Sequence, residues 1–243
     1  MAEKIVIASG KGGVGKSSLT VGLCRALRDR GRRVLAVDCD LGLRSLDLLF
    51  HAGDALVFDW GDVLRGSCAP ERACVDADGV GLLAAPLHES GDFTPQAMRD
   101  MIAHYDGDYD FILIDAPAGV VGEFELASAM ADRALVVATS DGVCLRSASR
   151  AADTLRQQGV ADLRLVLNRF HRAAVEHSFL VNVDDAIDRV GVQLIGVVPE
   201  DPEVTFRLPK GEALPKKSPA KTAWERIAAR LDGEDVPLHL RSF

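Results

Sequence analysis

A chain of 243 residues with 48% hydrophobic content can bury one large core, since single α/β domains of roughly 200–250 residues are common. Its 28 basic residues against 36 acidic ones, a net charge of -8, disfavour strong sequence-independent binding to nucleic acid, where affinity comes mainly from neutralised phosphates. The five cysteines (Cys24, Cys39, Cys68, Cys74, Cys144) are scattered and never spaced C-x-x-C, which points to a reducing cytoplasm, while the start lacks a signal-peptide apolar region and no run approaches the roughly 20 apolar residues that span a bilayer.

Residues 4–8 (KIVIA) read as the first strand, followed directly by Ser9-Gly10-Lys11-Gly12-Gly13-Val14-Gly15-Lys16-Ser17-Ser18 and a helix over 17–30 that Gly31 ends. G-x-x-x-x-G-K-S, from Gly10 through Gly15, Lys16 and Ser17, between a strand and a helix is a phosphate loop. Its glycines let successive N–H groups converge on phosphate oxygens, and the helix N-terminus adds partial positive charge. Gly12, Gly13, Val14, Gly15 and Ser18 are thus expected to bind nucleotide, with Lys16 against the β/γ phosphates and the Ser17 hydroxyl on Mg²⁺. The next strand, 33–37, runs into Asp38-Cys39-Asp40, whose i, i+2 carboxylates point the same way off the sheet's carboxyl edge.

A strand at 80–84 precedes a helix with Thr94 as N-cap and Pro95 in its first turn. Residues 111–114 are continuously apolar, as in a strand buried on both faces, and end in Asp115, the Walker B arrangement in which a carboxylate holds Mg²⁺ through its waters. Further strands are expected at 134–139, 163–167 and 194–198, with helices over 143–157 and 183–190. Residues 208–221, rich in Pro and Lys, read as an exposed loop before a last helix at 220–231. The alternation predicts an α/β P-loop NTPase fold, a mostly parallel sheet with helices on both faces, as one domain over 1–237 and a short tail over 238–243.

Lys11 places the loop in a subclass: K-G-G-V-G-K-S at 11–17 is the deviant Walker A signature, and the chain resembles the MinD branch of the MinD/ParA family. Further matching segments are D-C-D-L-G-L-R-S-L-D at 38–47, D-A-P-A-G at 115–119, Asn168-Arg169, V-V-P-E-D at 197–201 and R-L-D-G-E at 230–234. The resemblance implies an ATPase binding ATP or ADP with Mg²⁺ and forming an ATP-dependent homodimer in which Lys11 reaches the partner's nucleotide. It implies that Asp38 lies near the magnesium shell, Asp40 orients the attacking water, the Gly119 amide meets the γ-phosphate, and Asn168, Arg169, Pro199, Glu200 and Asp201 form the adenine pocket. An Asn amide can give to and take from the adenine edge, whereas a guanine reader would want N-K-x-D where Phe170 and His171 stand.

The implied role is division-site placement with a regulator of MinC/MinE type. A flagellar-number regulator or a ParA-like DNA-partitioning ATPase are the alternatives; an iron–sulfur carrier would need paired cysteines that the spacing does not offer. Departures are Ser147 and Ser149 where the family is usually acidic, Pro209-Lys210-Gly211 where it commonly has N-x-G, and a brief tail, Leu238 to Phe243, where a longer amphipathic membrane helix is usual. Membrane association is therefore expected to be weak or partner-mediated, and the location cytoplasmic or peripheral at the inner face of the cell membrane.

Overall fold

The computed structural model describes residues 1–87, 93–177 and 179–238. Its strands are β1 (Glu3–Ser9), β2 (Val34–Asp38), β3 (Cys74–Ala77), β4 (Val80–Leu83), β5 (Phe111–Ala118), β6 (Arg133–Ala138), β7 (Asp162–Phe170) and β8 (Leu194–Pro199). They form one sheet in the order β3-β4-β2-β5-β1-β6-β7-β8, parallel throughout except for the β3/β4 pair. β1 lies at the centre between β5 and β6, and Ile5, Val6, Ile7 and Ala8 have no solvent exposure, as expected for a parallel strand covered on both faces. Strand order reverses around β1, so the crevice at its carboxyl end is where an open α/β sheet takes a ligand.

The helices are α1 (Lys16–Asp29), α2 (Ser45–Phe50), α3 (Trp60–Leu64), α4 (Pro70–Ala73), α5 (Pro95–Ala103), α6 (Glu123–Ala129), α7 (Gly142–Gln157), α8 (Arg172–Glu176), α9 (Val183–Val190), α10 (Pro202–Arg207) and α11 (Pro219–Leu231). α1 buries Leu19, Leu23 and Leu27 completely and packs on α11, while α7 packs on α9. Three fully buried leucines contribute roughly 1.5–3 kcal/mol each, enough to seat α1 firmly behind the phosphate loop. Thr94 caps α5 through the Ala97 N–H with Pro95 in the first turn, as the sequence predicts.

Among the expected segments, three differ from the sequence expectation. β5 runs past Asp115 to Ala118, because the chain stays alongside β1 and pairs Ala118 with Ser9 after an irregularity in register. The acid is therefore inside the strand. β7 likewise carries Asn168 and Arg169 to its end. The 208–221 segment is not simply an exposed loop: Leu208 is buried and opens a short 3-10 turn, Leu208–Lys210, and Ser218 is buried as the N-cap of α11, its hydroxyl accepting from the Lys221 N–H.

Candidate functional site

Gly10 follows β1 where the backbone of α7 comes close: a β-carbon there would sit 2.1 Å from the Ser147 carbonyl oxygen. Gly15 is left-handed at φ 91 and caps α1, and a β-carbon on it would meet the Asn168 amide nitrogen at 2.5 Å. Sterics thus hold both positions to glycine. α1 has no side-chain cap and no acid in its first turn, in contrast to α3, α5, α7 and α11, whose first-turn N–H groups are taken by Asp59, Thr94, Asp141 and Ser218. The free N–H groups of α1 are what an anion needs.

Lys16 is nearly buried, and its Nζ donates to the Ser9 hydroxyl at 3.0 Å, which in turn donates to the Lys11 carbonyl at 2.8 Å. Burial lowers the Lys16 pKa, opposed by the nearby charges of Asp115 and Asp40. Lys11 itself is exposed. It lies near Asp141, the cap of α7: burial pushes that carboxyl up, but Thr139, the Cys144 and Val143 N–H groups and the Lys11 charge bring it below its ordinary value.

Asp38 and Asp115 stand in aligned register on the neighbouring strands β2 and β5, both buried. Asp38 accepts from the Asp40 N–H at 2.9 Å and the Leu46 N–H at 2.8 Å, so the segment after β2 folds around it. Asp115 accepts from the hydroxyls of Thr20 (3.2 Å) and Ser17. Burial raises the pKa of both, with the neighbouring Asp115 charge adding to the rise at Asp38, while Ser17, Lys16 and Thr20 oppose it at Asp115. Two buried carboxylates whose pKa values stay raised although Lys16 is near, with the Ser17 hydroxyl of the phosphate loop on Asp115, suit a divalent cation that keeps several of its waters. Ser17, Asp38 and Asp115 are the residues that would hold Mg²⁺. Asp40 is half-buried; burial raises its pKa and the Lys16 charge opposes, placing it at the phosphate end of the site.

The Gly119 N–H donates to the Ser9 carbonyl at 3.3 Å, and Ala118 lies against Gly12, so the turn after β5 borders the phosphate loop. On the other side a cavity of about 380 Å³ opens between β7, β8, α10 and α11. Gly13, Gly15, Ser18, Asn168, Arg169, Pro199, Glu200 and Asp201 line it together with the apolar Leu49, Val204, Leu208 and Trp224, a mixture suited to a purine. The Asn168 amide donates to the Val14 carbonyl at 2.8 Å, leaving its oxygen free for a base. Arg169, at φ 52, pairs with Glu200 at 3.0 Å and reaches the Gly13 carbonyl at 3.4 Å, tying the rim of the cavity to the phosphate loop. The Asp201 carboxylate is spent internally, accepting from the Glu203 and Ala220 N–H groups and the Ser218 hydroxyl. Its part in the cavity is to fasten α10 to α11.

The structure thus brings the expected phosphate, metal and base residues to one crevice, with the Gly119 N–H and the Asp201 carboxylate bonded within the fold and Lys11 exposed near Asp141. Sequence reasoning missed the residues behind them. Ser9 and Thr20 orient Lys16 and Asp115, and the buried Trp60 donates its indole N–H to the Asp38 carbonyl at 2.8 Å. Thr20 lies one helical turn after Lys16 and bonds back to its carbonyl, a spacing that could have marked it.

The sequence matches the profile of the CobQ/CobB/MinD/ParA nucleotide binding domain over residues 5–214. It is 35% identical over 244 residues to the septum site-determining protein MinD of Synechocystis sp., covering 98% of this chain and 92% of that protein. The fold is similar to that of MinD in the MinC:MinD cell division protein complex of Aquifex aeolicus, with a TM-score of 0.91 and 34% identity over 98% of each chain. It is similar also to the septum site-determining protein MinD of Pyrococcus horikoshii complexed with Mg-ADP, with a TM-score of 0.85 and 31% identity over 96% of this chain and 97% of that one. The chain thus belongs to the CobQ/CobB/MinD/ParA family of nucleotide-binding proteins, in its MinD branch.

Proposed function

We infer that this chain is an ATP-hydrolysing dimerisation switch of MinD type that acts in placing the division site. The observation that carries the reading is the division of labour between two lysines of one loop. Lys16 is buried against Ser9 and within reach of Asp115 and Asp40, so it serves the phosphates of its own chain. Lys11 is exposed and is free to serve the nucleotide of a second copy. Bound Mg-ATP supplies the phosphoryl group. The loop N–H groups and Lys16 hold its oxygens, the Gly119 amide joins them on leaving the Ser9 carbonyl, Asp40 orients water, and Lys11 of the second copy brings positive charge to where negative charge develops. Ser17, Asp38 and Asp115 hold the metal, and Asn168, Arg169, Pro199, Glu200 and Asp201 form the adenine pocket. The Mg-ADP bound to the Pyrococcus relative supports the cofactor assignment, and the Aquifex complex supports a regulator of MinC type.

Residues 1–237 are read as the ATPase domain: Arg230 donates to the carbonyls of Ile195, Val236 and Pro237, pinning the end of the segment to β8. Among the described residues no helix is long and apolar enough to cross a membrane. The proposed location is the cytoplasm, with weak or partner-mediated contact at the inner face of the membrane. Of the tail at 238–243 only Leu238 is described, and it is exposed; Leu240 and Phe243 lie outside the described residues.

Lys16→Ala is expected to abolish tight ATP binding, whereas Lys11→Ala should leave binding intact and prevent both dimerisation and hydrolysis. Equilibrium nucleotide titration and light scattering separate the two. ATP-dependent dimers of Lys11→Ala would rule out the shared-lysine arrangement.

A further inference from the structure

We propose that the His51 imidazole is a positioning residue for nucleotide binding, latching the turn at 208–211, one wall of the base cavity, to the helix that starts on the magnesium-side carboxylate Asp38. α2 begins beside Asp38, which accepts the Leu46 N–H at 2.8 Å, and ends at His51. There His51 Nε2 lies 3.0 Å from the Pro209 carbonyl oxygen. A carbonyl only accepts, so Nε2 carries the hydrogen. The ring also lies against Gly211, where a β-carbon would come within 2.6 Å of it; Gly211 is itself left-handed, at φ 67. Turn and ring are therefore fitted to each other by two separate contacts.

The bond stands where the two halves of the nucleotide site meet. Leu49 and Pro209 line both the base cavity and a second, more open cavity of about 610 Å³ that extends to Ser17. A rigid path thus runs from Asp38 through α2 and His51 to Pro209 and Leu208, and ends on the wall against which a base would pack. The backbone at His51 is left-handed at φ 55, a region that histidine enters more often than most side chains. The latch also gives a role to Pro209-Lys210-Gly211, the turn at which this sequence departs from the family pattern.

The proposal rests on the reading of the crevice as an ATP site, and its test keeps the two apart. KM and kcat for ATP hydrolysis, with thermal unfolding in the absence of nucleotide, are measured for the wild type, His51→Gly and His51→Gln. Glycine suits the backbone, so His51→Gly is expected to unfold near the wild-type temperature yet show a KM about three- to tenfold higher, the range expected for one lost hydrogen bond, with kcat unchanged. His51→Gln, whose amide can donate to the same carbonyl, should recover most of the affinity. A His51→Gly protein with wild-type KM, or one losing kcat in proportion, would overturn the latch, as would failure of glutamine to restore what glycine loses. Should glycine prevent folding, His51→Asn, which tolerates the backbone and is too short to reach Pro209, takes its place with the same expected KM. A wild-type chain that binds no ATP would overturn the functional reading itself, and the latch with it.

Discussion

Asp38 and Asp115 show at the scale of single residues how the site is held ready at a cost to the fold. Both carboxyls are raised above their ordinary range, first by burial, so the folded chain binds protons there that the unfolded chain has released. Stability contributed by the pair is therefore greatest in acid and falls as pH rises from about 4 towards neutrality, by up to about 1.4 kcal/mol per pH unit for each extra proton held. Without metal and nucleotide, Asp115→Asn is expected to flatten this decline, since one of the two charges is gone, and added Mg²⁺ should stabilise the wild type but not the variant. Unfolding followed across that pH range with and without Mg²⁺ checks this; parallel curves for the two proteins would contradict it. The residues of this site were legible in the sequence where the chemistry forces both type and spacing: the loop glycines, Lys16, Ser17 and the acids at the ends of apolar runs. Ser9, Trp60 and His51 were not. Each acts through a contact with a residue or backbone group placed by the fold, and Trp60 lies 22 positions from the carbonyl it holds.

At the scale of elements, long apolar or amphipathic segments announced themselves and short ones did not. β1, β5, β6 and β8, and α1, α7, α9 and α11, stand close to where periodicity put them, because each buries an unbroken face. β3 was missed although its turn was in view. Asp78-Gly79 is a two-residue loop with φ 59 and 72 between Ala77 and Val80, the positive-φ pair that an antiparallel hairpin needs. Only Ala77 of Cys74–Ala77 is fully buried, so the strand carries little apolar pattern of its own. α2, α3, α4, α6, α8 and α10 span four to seven residues, too few for a periodic signal, and several are defined by caps and turns. The Asp59/Asp62 capping box of α3 is an example. α10 is fixed by Asp201, whose carboxylate also holds the start of α11; this made the 208–221 segment partly buried where its Pro and Lys content suggested exposure.

For the whole molecule, the fold brings loop, acids and base cavity to one edge of the sheet and leaves Lys11 exposed, which suits the proposed assembly of two copies. In sedimentation with anionic vesicles the isolated chain is expected to stay mostly in the supernatant, with or without ATP, because its net charge of -8 disfavours an anionic surface. Strong ATP-dependent pelleting that disappears on deleting 238–243 would show the tail to be an anchor. That ATP joins two copies and hydrolysis parts them is checked by following mass with time by light scattering after a limited amount of Mg-ATP is added to the wild type and to Asp40→Ala. Asp40 orients water in this account and leaves the phosphate cradle and Lys11 untouched when removed. The wild type should rise to a dimer and relax to monomer as ATP is consumed, and Asp40→Ala should rise and stay. A wild type that remains monomeric throughout, or an Asp40→Ala dimer that decays at the wild-type rate, would contradict the account.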